Sequence, residues 1–331
     1  MKNTRIKKIT AITLTLVLAA MMLVGCGTGT SGNDLLKIGV TQIADHPSLD
    51  NCRTGFIAGL EESGYKDGEN IEIDFQSAKN DPAVANQIAQ NFAALGKDLV
   101  CGIATPSAQA LYTACAEKGI PVVFNAVSDP VAAKLAKSET EAMAGISGIS
   151  DALPVADQLA LIRQVLPKAK KIGIVYTTSE SNSVSTIATY KRLAPDYGFE
   201  IVDRGIGNQS ELAQATDILL TRVDCISNLT DNTVVAALSV LLEKAEIANI
   251  PVFGSEEEQV KNGCIASAGL DYFELGKQAG VIAARVLNGE DISSIPYEIM
   301  KESKLTVNPA VAEKLGIIIP ADLLEKATVI E

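Results

Sequence analysis

The chain reads as an α/β protein made of two similar lobes, each built on a parallel sheet. From Lys37 onward, short β-branched runs alternate with amphipathic stretches, which is the pattern of βαβ units. That succession then occurs a second time. Lys37-Ile38-Gly39 returns as Lys171-Ile172-Gly173, 134 positions on, and Ile120-Pro121-Val122 returns as Ile250-Pro251-Val252, 130 positions on. Stacked repeats have periods of roughly 20–50 residues, so this interval marks duplication of a domain-sized unit rather than a solenoid.

In chain order, the first residues carry Lys2, Arg5, Lys7 and Lys8 with no acid, and an uninterrupted apolar run from Leu16 to Val24 follows. The basic start and apolar run are those of a signal peptide over residues 1–25, and the apolar part is short for a membrane span of about 20 residues. Leu23-Val24-Gly25-Cys26 resembles a bacterial lipobox, in which Cys26 is lipidated and becomes the mature N-terminus. Two or more acyl chains anchor stably where one is marginal. Residues 26–34 are small and polar and read as a flexible tether. The protein is therefore expected to be exported and lipid-anchored to the cell membrane on its extracytoplasmic face.

Strands are predicted at Leu36–Thr41, Ile71–Phe75, Leu99–Ala104 and Val122–Phe124. Gly64, Gly96 and Gly119 stand where helices end on a left-handed residue. Asp81-Pro82, Thr105-Pro106 and Asp129-Pro130 each put a capping side chain before a proline suited to the first helical turn, and so predict helix starts. In the second half, Phe199-Glu200-Ile201 answers Ile71-Glu72-Ile73, and Val223-Asp224-Cys225 answers Leu99-Val100-Cys101. Two segments mix glycine with small and aliphatic residues, Gly145–Asp151 and Ala266–Asp271. Each reads as an extended strand passing between lobes.

Composition excludes several kinds of protein. The net charge of −12 includes the four leader cations, so the remainder sits near about −16, which argues against nucleic acid as a partner. Beyond Cys26, the cysteines Cys52, Cys101, Cys115, Cys225 and Cys264 are odd in number and lack CxxC spacing, so they form neither a disulfide framework nor a metal site. Gly27–Gly32 spells GxGxxG without a preceding strand or following helix, so it cradles no phosphate, and no P-loop occurs, which leaves the chain without an expected cofactor. His46 is the only histidine and no GxSxG elbow is present, so a hydrolase working through His46 is the weakest of the functional readings.

In an open parallel sheet, ligands bind beyond the carboxyl ends of the strands, where helix N-termini also point. The first half places Gln42, Asp45, His46 and Asp50, then Thr105 and Ser107, then Asn125, Ser128 and Asp129 at these ends. The second half places Thr177, Ser179, Glu180, Ser181, Asn182 and Ser183, then Thr230, Asp231 and Asn232, then Ser255 and Glu256, and the crossings add Ser150, Asp151 and Asp271. Such a ring suits a small zwitterion, with its carboxylate on helix-start N–H groups and hydroxyls and its ammonium on a carboxylate. Helix ends contribute about 0.3–2 kcal/mol and charge-assisted bonds about 1.5–3, against about 8 for micromolar binding. Burial of one ligand side chain adds about 1.5–3 kcal/mol and favours an apolar amino acid. Phe124, Tyr176, Phe253 and Tyr272 are the candidate walls. Ser, Thr and Asp at helix starts are also ordinary caps, and Thr105, Asp81 and Ser210 fit that role most readily. Asp151, Asp231, Asn232 and Asp271 are the strongest ligand candidates.

Gln42–Asp50 (QIADHPSLD), Ile103–Ala110 (IATPSAQA), Val122–Pro130 (VVFNAVSDP), Gly148–Asp151, Asp231-Asn232 and Gly269–Gly276 (GLDYFELG) together resemble the substrate-binding lipoproteins of ABC importers. The branch with tryptophan- and tyrosine-type amino acid receptors is the most similar. The resemblance implies a type I periplasmic-binding-protein fold, with two Rossmann-like lobes joined by a three-strand hinge and a ligand enclosed by closure. On that basis residues 35–147 plus about 272–294 form the N-terminal lobe, and residues 148–271 plus about 295–331 the C-terminal lobe. It also implies a monomer that delivers its ligand, a hydrophobic or aromatic amino acid, to an ABC permease driven by a separate ATPase. The residues it assigns to the ligand are His46, Thr105, Ser107, Ser128, Asp129, Asp151, Ser181, Asn182, Asp231, Asn232, Glu256 and Asp271, with no metal. Asn125-Ala126-Val127-Ser128 departs from the branch, which leaves ligand identity open. A sugar or nucleoside receptor, for which the chain lacks tryptophan, and an extracytoplasmic ligand sensor are the alternatives.

Overall fold

The computed structural model describes residues 35–139 and 141–330. The expected leader, the lipidation site Cys26 and the tether lie outside the described residues. Among the described residues no helix is long and apolar enough to cross a membrane.

In the first lobe β1 (Leu36–Gln42), α1 (Pro47–Glu62), β2 (Ile71–Ser77), α2 (Pro82–Leu95), β3 (Leu99–Ile103), α3 (Thr105–Cys115) and β4 (Val122–Asn125) alternate. A hairpin of β5 (Ala136–Ser138) and β6 (Glu141–Ala142) leads into β7 (Ile146–Ser150). Parallel pairing orders the sheet β7-β4-β3-β1-β2. Its inner strands are buried end to end, because helices cover both faces of a parallel sheet. The second lobe follows with α4 (Val155–Val165), β8 (Lys171–Thr177), α5 (Ser181–Leu193), β9 (Glu200–Ile206), α6 (Leu212–Leu220), β10 (Cys225–Ser227), α7 (Asn232–Val235), α8 (Leu238–Ile247) and β11 (Val252–Phe253). Its order is β11-β10-β8-β9. The fourth, third, first and second strands of each lobe thus lie in the same succession, and the sequence duplication is a duplication of topology.

After α9 (Glu257–Lys261), β12 (Ala266–Gly269) pairs antiparallel with β14 (Lys304–Val307), and β15 (Thr328–Val329) runs parallel to β14. Hydrogen bonds from Ile265 N to Val252 O (2.8 Å) and from Gly254 N to Ala266 O (2.9 Å) stitch this small sheet to β11. The chain passes between lobes after Ser150, at Asp271, and through residues 300–303. Between the last two passages α10 (Tyr272–Leu287) lies on α1. The two backbones touch: a Cβ on Gly276 would stand 2.1 Å from Cys52 O, and one on Gly59 would stand 2.1 Å from Lys277 O. Only glycine permits so close an approach, and it fixes the N-terminal ends of both helices side by side.

One core fills the first lobe around Phe56, Phe92, Phe124 and Leu111, and separate cores lie on the two faces of the second sheet. Three expectations need correction. Asp129-Pro130 does not open a helix: Asp129 Oδ1 accepts from Ala132 N at 2.9 Å, and the chain turns back at Lys134, whose φ of 61° is left-handed. The α3 cap is Ala104 rather than Thr105, which is already the first helical residue. The lobe boundaries also shift. All of β7 belongs to the first sheet, and β13 (Glu298–Ile299) pairs with it, while Ile295 and Tyr297 are buried in the first core, so residues 295–299 sit with the first lobe.

Candidate functional site

Both lobes line one narrow cavity. Every lining residue follows the carboxyl end of a strand. His46, Ser48 and Leu49 follow β1, Ala104 and Thr105 follow β3, Ala126 and Ser128 follow β4, and Asp151 follows β7. Across from them, Asn182 follows β8, Thr230, Asn232 and Val235 follow β10, Glu256 and Gln259 follow β11, and Tyr272 follows β12. Duplicated topology therefore aims two sets of strand ends at the same space.

Three long helices begin at this cavity without a side-chain cap. The α1 cap residue His46, the α3 cap residue Ala104 (φ 71°) and the α5 cap residue Glu180 give no capping hydrogen bond. Asp81 and Asp271, at the starts of α2 and α10, do cap theirs. At the uncapped starts, His46 Nδ1 and Nε2, Ser107 Oγ, Ser181 Oγ and Asn182 Oδ1 are buried without a hydrogen-bond partner. First-turn N–H groups carry the positive end of the helix dipole, so an anion at this place would supply the missing cap. Burial pushes His46 down to about 4, against the opposing influence of Asp50, Asn232 and Asp45, so its ring is neutral at physiological pH.

Two carboxylates face the same space, and among the described residues no lysine or arginine lines it. Asp151 accepts from Ser128 Oγ at 2.9 Å and from Tyr272 Oη at 2.6 Å; burial raises its pKa, and these donors oppose the rise. Glu256 accepts from Ser48 Oγ (2.9 Å), Gln259 N (3.0 Å) and Glu258 N (2.6 Å), and burial pushes it up to about 7. Behind the wall, burial and the nearby Asp231 push Glu180 up to about 7, against the donors of Asn232 and Thr233. Among the described residues no group of three or more His, Cys, Asp or Glu side chains could hold a metal ion, and the five cysteines are free and buried.

Of the residues expected at the ligand, His46, Thr105, Ser128, Asp151, Asn182, Asn232 and Glu256 come together at the cavity. Ser107 and Ser181, in the first turns of α3 and α5, do not line it. Asp231 is spent within its own lobe, where its oxygens accept from Thr177 N (2.6 Å), Thr177 Oγ1 (2.8 Å), Ser183 Oγ (2.7 Å) and Val234 N (2.9 Å). Asp271 points away, caps α10 through Phe273 N and Glu274 N, and pairs with Lys304 at the hinge. Asp129 bonds Ser185 across the lobes beside an adjoining groove. Of the four aromatic candidates, only Tyr272 lines the cavity; Phe124 and Phe253 are core residues, and Tyr176 packs on the second core. Ser48 and Gln259 are additions. Ser48 sits two residues after His46 in a motif already singled out, whereas nothing in sequence distinguishes Gln259 from a surface helix residue.

The lobes are closed on each other. Ser48–Glu256 (2.9 Å), Asn51–Glu258 (3.3 Å), Asn80–Thr233 (3.4 Å), Ser128–Thr230 (3.4 Å) and Asp129–Ser185 all join first-lobe to second-lobe side chains.

The chain matches the family described as ABC transporter substrate binding protein over residues 37–330. A relative, the tyrosine-binding protein of Clostridioides difficile (strain R20291), is 40% identical over 313 residues, covering 91% of this chain and 90% of that protein. Among solved structures, the ABC domain in complex with L-Trp from Streptococcus pneumoniae is 33% identical with a TM-score of 0.87, covering 89% of this chain and 100% of that one. The ligand-free, open structure of a substrate binding protein with adhesive properties from Clostridium difficile is 39% identical with a TM-score of 0.69, covering 90% and 99%. The chain is more identical to the open structure yet superposes better on the L-Trp complex, as expected when lobe closure separates two forms of one fold.

Proposed function

The chain belongs to the ABC transporter substrate binding protein family, and we propose that it encloses a free aromatic amino acid, tyrosine or tryptophan, between its lobes. As a member of that family it is a binding protein rather than an enzyme, and it works outside the cytoplasm beside an ABC permease. The observation that carries the ligand reading is the polarity of one cavity: three uncapped helix starts on its walls, two buried carboxylates, and no lysine or arginine. The carboxylate of an amino acid takes the place of the missing caps of α1 and α3, and its ammonium meets Asp151 and Glu256. Tyr272, Leu49 and Val235 offer the apolar surface for the side chain. The names of the relatives, tyrosine for one and L-Trp for another, support the aromatic class.

Closure over the ligand produces the shape that a permease accepts, since a ligand favours the closed form by its greater affinity for it. Lipidation at Cys26 keeps the receptor at the membrane, and the small polar tether lets it reach the transporter. Thermal melting of protein stripped of ligand by mild unfolding tests the ligand class. A hundredfold excess of ligand over its dissociation constant adds about 2.7 kcal/mol, so tyrosine or tryptophan should raise the melting temperature while aspartate, lysine and glucose leave it unchanged. No shift with any aromatic amino acid refutes the proposal.

A further inference from the structure

Glu180 occupies the cap position of α5 but accepts no capping hydrogen bond from the first-turn N–H groups of that helix. Its Oε2 accepts from Asn232 N at 3.0 Å, Asn232 Nδ2 at 2.7 Å and Asn182 Nδ2 at 3.3 Å, and its Oε1 accepts from Thr233 N at 3.1 Å and Thr233 Oγ1 at 3.0 Å. Five donors converge on one carboxylate that lies 6% exposed. An ionised carboxylate only accepts, so both amides must turn their NH₂ groups toward it and their carbonyl oxygens away. Asn182 and Asn232 both line the cavity, and Asn182 Oδ1 is buried there without a partner. The neighbouring Asp231 does not compete for these amides, because Thr177, Ser183 and Val234 occupy it.

We infer that Glu180 is a positioning residue that sets the orientation of both asparagine amides, so that the second-lobe wall presents carbonyl oxygens and selects a ligand carrying a hydrogen-bond donor, the ammonium, at that place. The inference rests on the amino acid reading given above and assigns part of its selectivity to a residue that does not touch the ligand. Glutamine at 180 brings an NH₂ of its own. Both amides share Oε2, so where the glutamine NH₂ takes that place Asn232 Nδ2 loses its acceptor and is free to turn into the cavity, where it opposes an ammonium and welcomes an acceptor, while Asn182 Nδ2 keeps Thr230 O at 3.3 Å.

The test is calorimetric titration at about pH 8, where Glu180 is ionised, of ligand-stripped wild type, Glu180→Gln and Glu180→Asp. The probes are L-tyrosine and 3-(4-hydroxyphenyl)propionate, which lacks the ammonium. Wild type should prefer L-tyrosine strongly, and Glu180→Gln should lower that preference at least about tenfold, with the larger loss on L-tyrosine. Glu180→Asp, which keeps an acceptor, should recover part of the preference. If Glu180→Gln gives no cooperative melt, Asn182→Ala takes its place and should lower the same ratio. Equal losses for both probes, or an unchanged ratio, would overturn the inference while leaving the amino acid reading intact. A wild-type chain that binds neither L-tyrosine nor L-tryptophan ends the reading itself, and the inference with it.

Discussion

Tyr272 donates its hydroxyl to Asp151 at 2.6 Å, and this bond joins two of the segments that pass between the lobes. Asp151 follows β7 at the first passage, and Tyr272 opens α10 just after the second. The glycine contact between α1 and α10 brings Tyr272 to this place, because it holds the start of α10 against Cys52 and the start of α1, from which Ser48 and Leu49 reach the cavity. Hinge, inter-lobe cavity and the close packing of α1 on α10 are therefore one mechanical unit.

If Asp151 receives the ligand ammonium, Asp151→Asn should weaken L-tyrosine by about 2–5 kcal/mol, since a buried charge loses its partner. Tyr272→Phe removes only a supporting hydrogen bond and should cost less, about 1.5–3 kcal/mol. Isothermal titration of both variants gives the order; Asp151→Asn binding at wild-type affinity would remove Asp151 from the site.

Protonation should stabilise the ligand-free chain over a defined range of pH. Glu180 and Glu256 are raised from 4.5 to about 7, so their contribution is complete below the unfolded value and is lost as pH rises through 7. His46 is lowered from 6.5 to about 4, so its contribution is complete above 6.5 and is lost as pH falls through 4. Scanning calorimetry should accordingly find a higher melting temperature near about pH 5.5 than near about pH 8, and Glu256→Gln should reduce the difference. A flat profile between these values contradicts the assignment.

Gly276→Ala should lower the melting temperature by several degrees, because its methyl group meets Cys52 O at 2.1 Å and backbone must move, an overpacking cost of about 1–3 kcal/mol or more. Gly207→Ala is the control, since its nearest neighbour is a glutamate side-chain oxygen at 3.5 Å. Similar melts for the two variants would show that α1 and α10 have room to separate.

Metabolic labelling with palmitate should mark the wild-type protein and not Cys26→Ala, which should leave the membrane fraction. A labelled, membrane-bound variant would place the anchor elsewhere.

Much of this was legible because duplication and strand ends are written in local patterns. Lys37-Ile38-Gly39 and its echo at Lys171 each begin the strand that sits third in the order β4-β3-β1-β2 or β11-β10-β8-β9. What sequence could not distinguish is a carboxylate that caps from one that faces a ligand. Asp231 and Asp151 look alike in the chain, yet the first is saturated by four donors of its own lobe while the second accepts from two side chains at the cavity and keeps acceptor capacity there. Asp129-Pro130 carries the same helix-start signal as Asp81-Pro82, and only the second is followed by residues that continue a helix. The aromatic wall failed for a related reason. Phe124 and Phe253 lie within the last two residues of β4 and β11, and the period of two that sends neighbouring side chains to opposite faces puts both of them in the cores.

The central claim, that one closed cavity reads both ends of an aromatic zwitterion, is tested most directly by calorimetric titration of the ligand-stripped chain with L-tyrosine, tyramine and 3-(4-hydroxyphenyl)propionate. Loss of either charged group should weaken binding at least about tenfold, the equivalent of one charge-assisted hydrogen bond. If tyramine or the propionate binds as tightly as L-tyrosine, the cavity does not recognise an amino acid in the way described.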